Sequence, residues 1–194
     1  GKGNPNATHN PKYNVWIGNN AVGSETITTP VGTVGIGQNA LADLVDQDEL
    51  VGIGRHVLQK IVGTNSTAVG YEAGRYATGS SNTFVGSEAG KGGTTSAPYS
   101  SGESNTAIGY QALTGFTTGD ANTALGYKAL GAATTGGYNV AVGAEAGISL
   151  TTGAENTLIG QSAGAQHTVT SYIIAIGSGA ANTTMAAGAN GTVA

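Results

Sequence analysis

The sequence has no cysteine, 4 prolines in 194 residues, and only 9% charged residues. Each scarcity removes a class of protein. Without cysteine there is no disulfide framework, no thiolate metal site and no cysteine nucleophile. So little charge and proline is unlike a disordered chain of low hydrophobicity, which is normally rich in Glu, Lys and Pro. The 7 lysines and arginines are scattered along a chain of net charge −4. That gives no basic stripe to displace counterions from DNA or RNA, so nucleic acid is not an expected partner. No apolar run approaches the roughly 18 residues of a membrane span, and Gly1-Lys2-Gly3-Asn4-Pro5 lacks the apolar core of a signal peptide. The chain therefore reads as a soluble segment of something longer, without membrane insertion.

What is abundant is glycine, 34 residues. Collagen needs glycine at every third position, and Asn156 to Ile159 contain none. The glycines instead mark a longer period. Asn105-Thr106-Ala107-Ile108-Gly109, Asn122-Thr123-Ala124-Leu125-Gly126, Asn139-Val140-Ala141-Val142-Gly143 and Asn156-Thr157-Leu158-Ile159-Gly160 place successive motif glycines 17 residues apart. The frame extends forward to Gly177 and back through Gly86, Gly70, Gly54, Gly37 and Gly18, with one long step of 23 from Gly86 to Gly109. An alanine stands three residues after every motif glycine except at Val57. A second glycine stands three residues before the Asn position, at Gly63, Gly79, Gly102, Gly119, Gly136 and Gly153.

The Asn-Thr-Ala-Ile alternation has the period of a strand. Together these marks predict an all-β fold: a parallel β-solenoid or β-roll of about ten rungs with a roughly 17-residue repeat. The β-branched or leucine residue before the motif glycine is the bulky apolar position common to nearly every copy, and is expected to face the interior. The turn glycine before Asn is expected to take a positive φ. Asn82, Asn105, Asn122, Asn139 and Asn156 are expected to stack into an amide ladder, with Gly86, Gly109, Gly126, Gly143 and Gly160 as structural residues of the same frame. Residues 1–13 read as a lead-in or cap, 14–181 as the roll with a loop inserted near 91–99, and 182–194 as a cap or continuation. A narrow interior buries little apolar area per ordered residue, so association with other copies is expected. The face proposed for it includes Leu113, Leu130 and the alanines in the middle of the Asn-Thr-Ala motif.

Asn105-Thr106-Ala107-Ile108-Gly109-Tyr110-Gln111-Ala112-Leu113 and the matching Asn122 to Leu130 resemble the repeats of bacteriophage tail-fibre and tail-spike proteins, often found upstream of a self-cleaving chaperone domain. They are similar, more loosely, to the head repeats of bacterial trimeric autotransporter adhesins, which are left-handed parallel β-rolls. The similarity runs from about Asn14 to Ala181. It implies a homotrimeric fibre in the extracellular virion tail that joins other tail components and contacts a bacterial surface glycan or protein. The alternative is a trimeric adhesin or filament subunit at the bacterial cell surface. The 17-residue period is longer than the usual adhesin head repeat.

Candidate contact residues follow from the frame. Tyr71, Tyr110 and Tyr127 directly follow motif glycines, and a tyrosine stripe suits either a glycan or a hydrophobic seam. The six extra residues before Gly109 should leave the coil between Lys91 and Tyr99, offering Lys91 and Tyr99 as a polar and an aromatic contact on a surface loop. Asp43, Asp46, Asp48 and Glu49 are the densest acidic cluster, but they lack the glycine and terminal ligand of a calcium loop and read as a solvated turn. Lys128, between Gln111 and Glu145 in this register, reads as a weak surface ion pair. His9, His56 and His167 fall at unrelated phases, and no nucleophile elbow, phosphate loop or zinc-protease motif is present, so neither enzymatic activity nor a cofactor is expected. A remoter reading, from another class, is an ice-binding solenoid using Thr83, Thr106, Thr123 and Thr157.

Overall fold

The computed structural model describes residues 13–23 and 30–182. The expected lead-in and terminal segments lie outside the described residues except at Tyr13 and Asn182. Ten three-residue strands follow one another: β1 (Val15–Ile17), β2 (Val34–Ile36), β3 (Val51–Ile53), β4 (Thr67–Val69), β5 (Thr83–Val85), β6 (Thr106–Ile108), β7 (Thr123–Leu125), β8 (Val140–Val142), β9 (Thr157–Ile159) and β10 (Ile174–Ile176). They pair in sequence order, all parallel, in one ten-stranded sheet. The protein is a parallel β-solenoid. Equivalent residues face each other, Thr106 opposite Thr123 and Ile108 opposite Leu125. The long step keeps the same phase, with Thr83 opposite Thr106. Its extra residues leave the coil, and Ala77 and Ser100 re-establish the ladder behind them.

The residue of each strand that faces the lumen is the central one. Ala68, Phe84, Ala107, Ala124, Ala141, Leu158 and Ala175 are buried. The bulky residue before the motif glycine points outward instead: Ile17, Ile53, Val85, Ile108, Leu125, Ile159 and Ile176 are between 37% and 60% exposed. This reverses the facing expected from the sequence. The turns already fill the lumen with Ala at three, Leu or Gly at four, and a residue such as Leu44, Ile61, Phe116 or Leu150 at seven residues after the motif glycine. Opposite them there is room for one side chain per coil, usually alanine, and strand alternation sends its two neighbours out. For the same reason Leu113, Leu130 and the central alanines are fully buried and form no association face.

Lumen volume is shared between two walls. Where the strand centre is Gly35, Gly52, Ala107 or Ala124, the position four residues after the motif glycine is Leu41, Leu58, Leu113 or Leu130. Where the strand centre is Phe84 or Leu158, that position is Gly90 or Gly164, and a Cβ there would lie 2.2 Å from Phe84 Cδ1 or 2.8 Å from Leu158 Cδ2. Coils with Ala68 and Gly74, or Ala141 and Gly147, are filled from above and below by Leu58 with Phe84 and by Leu130 with Leu158. Phe84→Ala is expected to cost about 3–5 kcal/mol in urea unfolding. Adding Gly90→Leu should recover about half of that, because Leu58 and Leu113 already adopt the required φ, +44° and +51°. A double variant no more stable than Phe84→Ala would sink the shared-volume account.

The turn before each Asn also differs from expectation. The turn glycines keep ordinary φ, and the left-handed residue is the one just before Asn: Ser81, Ser104, Ala121, Tyr138 and Glu155 at φ 55–61°. Glycine stands at 119 because of neighbours, since a Cβ would lie 2.4 Å from the Gly136 carbonyl oxygen of the next coil.

Candidate functional site

The turn after each motif glycine forms one long corner of the solenoid. Repetition carries its side chains in columns, because backbone bonds hold equivalent positions together: Lys128 N–H donates to the Tyr110 carbonyl at 2.9 Å and Glu145 N–H to the Tyr127 carbonyl at 2.7 Å. Tyr110 and Tyr127 stack with centroids 5.7 Å apart and planes at 14°, each 46% exposed. Tyr71 is apart from them, two coils away across Ser87. Lys128 lies over the Tyr127 ring, 5.2 Å from its centroid, rather than pairing with Glu145. The ring quadrupole gives the ammonium a closer partner than the neighbouring carboxylate does. Arg55 lies in the same way over Tyr71, at 5.5 Å.

Lys91 and Tyr99, at the two ends of the insertion, both fold back on the corner. Lys91 Nζ lies 2.6 Å from Glu72 Oε2, and Arg75 donates to the other oxygen, Oε1, at 2.6 Å. Arg75 Nε donates to Gln59 at 3.0 Å. Tyr99 stacks on Tyr76, centroids 6.1 Å apart and planes at 13°. Arg75 lies 4.9 Å from the Tyr76 centroid and Lys60 5.8 Å from that of Tyr99, while the Lys60 ammonium also binds the Asp43 carboxylate. Gly92 makes this possible, since a Cβ there would sit 3.1 Å from Tyr76 Cβ and 2.8 Å from Ser100 Oγ.

Sequence reasoning missed Tyr76, Lys60 and Arg75. The signal was available in the frame: Asp43, Lys60 and Tyr76 all stand six residues after a motif glycine, and Gln59, Arg75 and Lys91 five after. The acidic cluster disperses. Asp43 is taken by Lys60, Asp46 accepts from Gln47 at 2.9 Å, and Asp48 accepts the Val31 N–H at 2.7 Å. Among the described residues no three His, Asp or Glu side chains are placed to hold a metal ion. His56 and His167 are far apart in role. His56 Nδ1 faces Asn39 Nδ2 at 3.3 Å, whereas His167 is buried in the lumen with neither ring nitrogen partnered.

Compared with protein-family models, curated proteins and solved structures, the chain matches none. The corner is therefore read from its own chemistry.

Glu72 is the electrostatic centre of that chemistry. Burial pushes its carboxyl up, but hydrogen bonds from Lys91 and Tyr71 and the charges of Lys91 and Arg75 outweigh burial and hold it below the usual carboxylate range. Burial likewise opposes the charge on Lys91, and the bond to Glu72 overcomes it and raises the ammonium. A carboxylate with a depressed folded pKa stabilises the protein fully above its unfolded value and loses that contribution as pH falls through the folded one. Acidification below the ordinary Glu range, about 4.3, should thus loosen the start of the insertion. Glu72→Gln should remove this part of the acid sensitivity, seen as a smaller fall in urea midpoint between neutral pH and a pH below the ordinary Glu range. An unchanged pH profile would mean that Glu72 contributes nothing to it.

Proposed function

We propose that the chain is a non-enzymatic segment of a homotrimeric extracellular fibre of the phage tail-fibre kind, with the outer face of the sheet at the trimer axis. The observation that carries this reading is the uninterrupted aliphatic column on that face. It runs from Ile17 through Ile108 and Leu125 to Ile176, one residue per coil, exposed or half-buried throughout. Beside it run Val and Thr, from Val15 through Thr106 and Thr123 to Ile174, with no charged residue in either column. A monomeric protein does not ordinarily present so long an apolar strip to water. Burying one such side chain contributes about 1.5–3 kcal/mol, so even partial burial of ten per copy exceeds the roughly 4–15 kcal/mol cost of association. The number three comes from the resemblance of the repeats.

In this arrangement the corner carrying Tyr71, Tyr99, Tyr110, Tyr127 and Lys91 faces outward and meets the bacterial surface, whether on a virion tail or on a cell-surface adhesin. Light scattering should give a mass near three times 18.9 kDa. Ile108→Lys with Leu125→Lys should convert the trimer to monomer or to insoluble protein, because two rows of like charge would meet at the axis. A folded monomer of the unaltered chain would overturn the reading.

One observation favours a second reading. Thr67, Thr83, Thr106 and Thr123 lie in register on four successive coils of the same outward face as the aliphatic column, with Thr157 one coil further beyond Val140, and a threonine row of this kind is what an ice-adsorbing face would use. That face can serve only one role, so a monomer showing thermal hysteresis would select this alternative, and a trimer without it would remove it.

A further inference from the structure

The insertion is the least economical part of the chain. The other coils close in steps of 16 to 19 residues, and the coil after β5 spends 23. The coil does not need the extra residues to keep its register, since β5 and β6 pair in phase like any other two strands. Their tangible result is the position of Tyr99, carried back over the side-chain-free Gly92 to lie against Tyr76.

The surroundings of these two rings are unusual for this chain. Of the five described cations, Arg55, Lys60, Arg75 and Lys91 all lie on this corner between β3 and the insertion. Asp43, Glu72 and Glu88 balance three of them, leaving the patch one positive charge on a chain of net −4. The cations also keep unused donors. Lys60 gives one of its three N–H groups to Asp43, and Arg75 uses Nε and Nη1 on Gln59 and Glu72, which leaves Nη2. Both side chains remain partly exposed, 29% and 25%. Both rings are half-buried and so keep part of their surface open to solvent, with Arg75 over Tyr76 and Lys60 over Tyr99.

Resting on the surface-binding reading above, we propose that Tyr76, Tyr99, Lys60 and Arg75 form a subsite for an anionic saccharide. The apolar face of a pyranose ring packs on the exposed edge of the tyrosine pair, and its carboxylate or phosphate accepts hydrogen bonds from Lys60 Nζ and Arg75 Nη2. A neutral sugar leaves those donors to water. A bare anion forgoes the ring contact. The ligand class is thus set by the two requirements together. The Tyr110–Tyr127 pair, with Lys128 alone beside it, lacks the second cation and is not part of this subsite.

Calorimetric titration of the intact chain with trigalacturonate, sialyllactose and glucose 6-phosphate tests this, with maltotriose and inorganic phosphate as controls. At least one of the three anionic sugars should bind in the millimolar range or tighter, and both controls more weakly. Tyr99→Ala and Lys60→Gln should each weaken that binding about tenfold, from loss of the ring contact and of a charge-assisted bond respectively. Tyr138→Ala, on the exposed turn before Asn139 and away from this corner, should leave it unchanged. Absence of binding by all three, equal binding of a control, or a Tyr99→Ala variant that binds like the parent would each overturn the subsite. Solution mass of the same samples separates the two readings: a trimer that binds none of the sugars rejects the subsite alone, and a monomer that binds one rejects the trimer alone.

Discussion

Gly126→Ala is expected to break the solenoid in two. Gly126 has φ +137° and stands in a column of motif glycines from Gly18 to Gly177, each directly beneath the backbone of the next. A Cβ on residue 126 would lie 2.5 Å from the Gly143 carbonyl oxygen and 2.7 Å from its carbon. Both are main-chain atoms, so no side chain can swing aside, and relief requires the coils to separate. Separation there breaks the parallel bonds that join β7 to β8, including Gly143 N–H to the Leu125 carbonyl at 2.8 Å. The φ alone costs an L-residue about 1–3 kcal/mol, and with the overlap the total should exceed about 4 kcal/mol. Nearest-neighbour coupling localises the damage in a repeat protein. Hydrogen exchange should therefore show lost protection around β8 while β3 to β6 stay protected. Gly177→Ala separates the causes: it has φ +131°, but its added Cβ meets only Ala180 Cβ, at 3.8 Å. It should report the backbone strain without the collision. If Gly126→Ala cost no more than Gly177→Ala, close stacking would not be the reason for the column.

The period, the number of coils, the strand positions and the site of the insertion were all legible in the sequence because repetition multiplies each signal tenfold. Facing was not legible. In Asn-Thr-Ala-Ile the alternation fixes that Ala and Ile face oppositely, but hydrophobicity alone sends Ile inward. The lumen sends it outward, because Ala112 and Leu113, or Ala129 and Leu130, already occupy the opposite wall. The clue lay in covariation between positions of the same coil, Ala107 with Leu113 against Phe84 with Gly90. Pattern reading of single positions passes over such a relation. The corner was legible only in part. Tyr71, Tyr110 and Tyr127 could be aligned in the frame, whereas Tyr99 stands outside it, and its contact with Tyr76 depends on how the insertion folds back. The cations over the rings were hidden for a related reason. Arg75 and Lys128 come from the same coil as their rings, Arg55 from the adjacent one and Lys60 from two coils away, so the contact depends on side-chain direction more than on period.

The amide ladder, which the sequence did foretell, sets the second large effect. Asn122 Nδ2 donates to Asn105 Oδ1 at 3.2 Å and to the Gly136 carbonyl at 2.9 Å, while its Oδ1 accepts Asn139 N–H at 3.1 Å and Nδ2 at 3.0 Å. The chain of such bonds runs from Asn82 to Asn156 and ends on the Ile173 N–H at 3.0 Å. All five asparagines are buried, so water cannot substitute for a lost partner. Asn122→Leu removes both ends at once and strands the Asn139 amide hydrogens and the Gly136 carbonyl. At roughly 1–3 kcal/mol for each buried orphan, the loss should reach about 3–5 kcal/mol. Asn122→Asp tests the polarity of the ladder as well as its strength. One carboxylate oxygen can accept from Asn139, but the other must face the Asn105 and Gly136 oxygens with no proton to offer. Only the protonated acid can donate there, so the fold raises the pKa of the introduced carboxyl, and its stability falls as pH rises through that value. Measured against the parent protein in urea, Asn122→Asp should be far weaker at neutral pH and recover part of the difference in mild acid. That sign is opposite to the one expected from Glu72. A variant equally destabilised at both pH values would show that residue 122 is held by shape, with no directional run of donors through the stack.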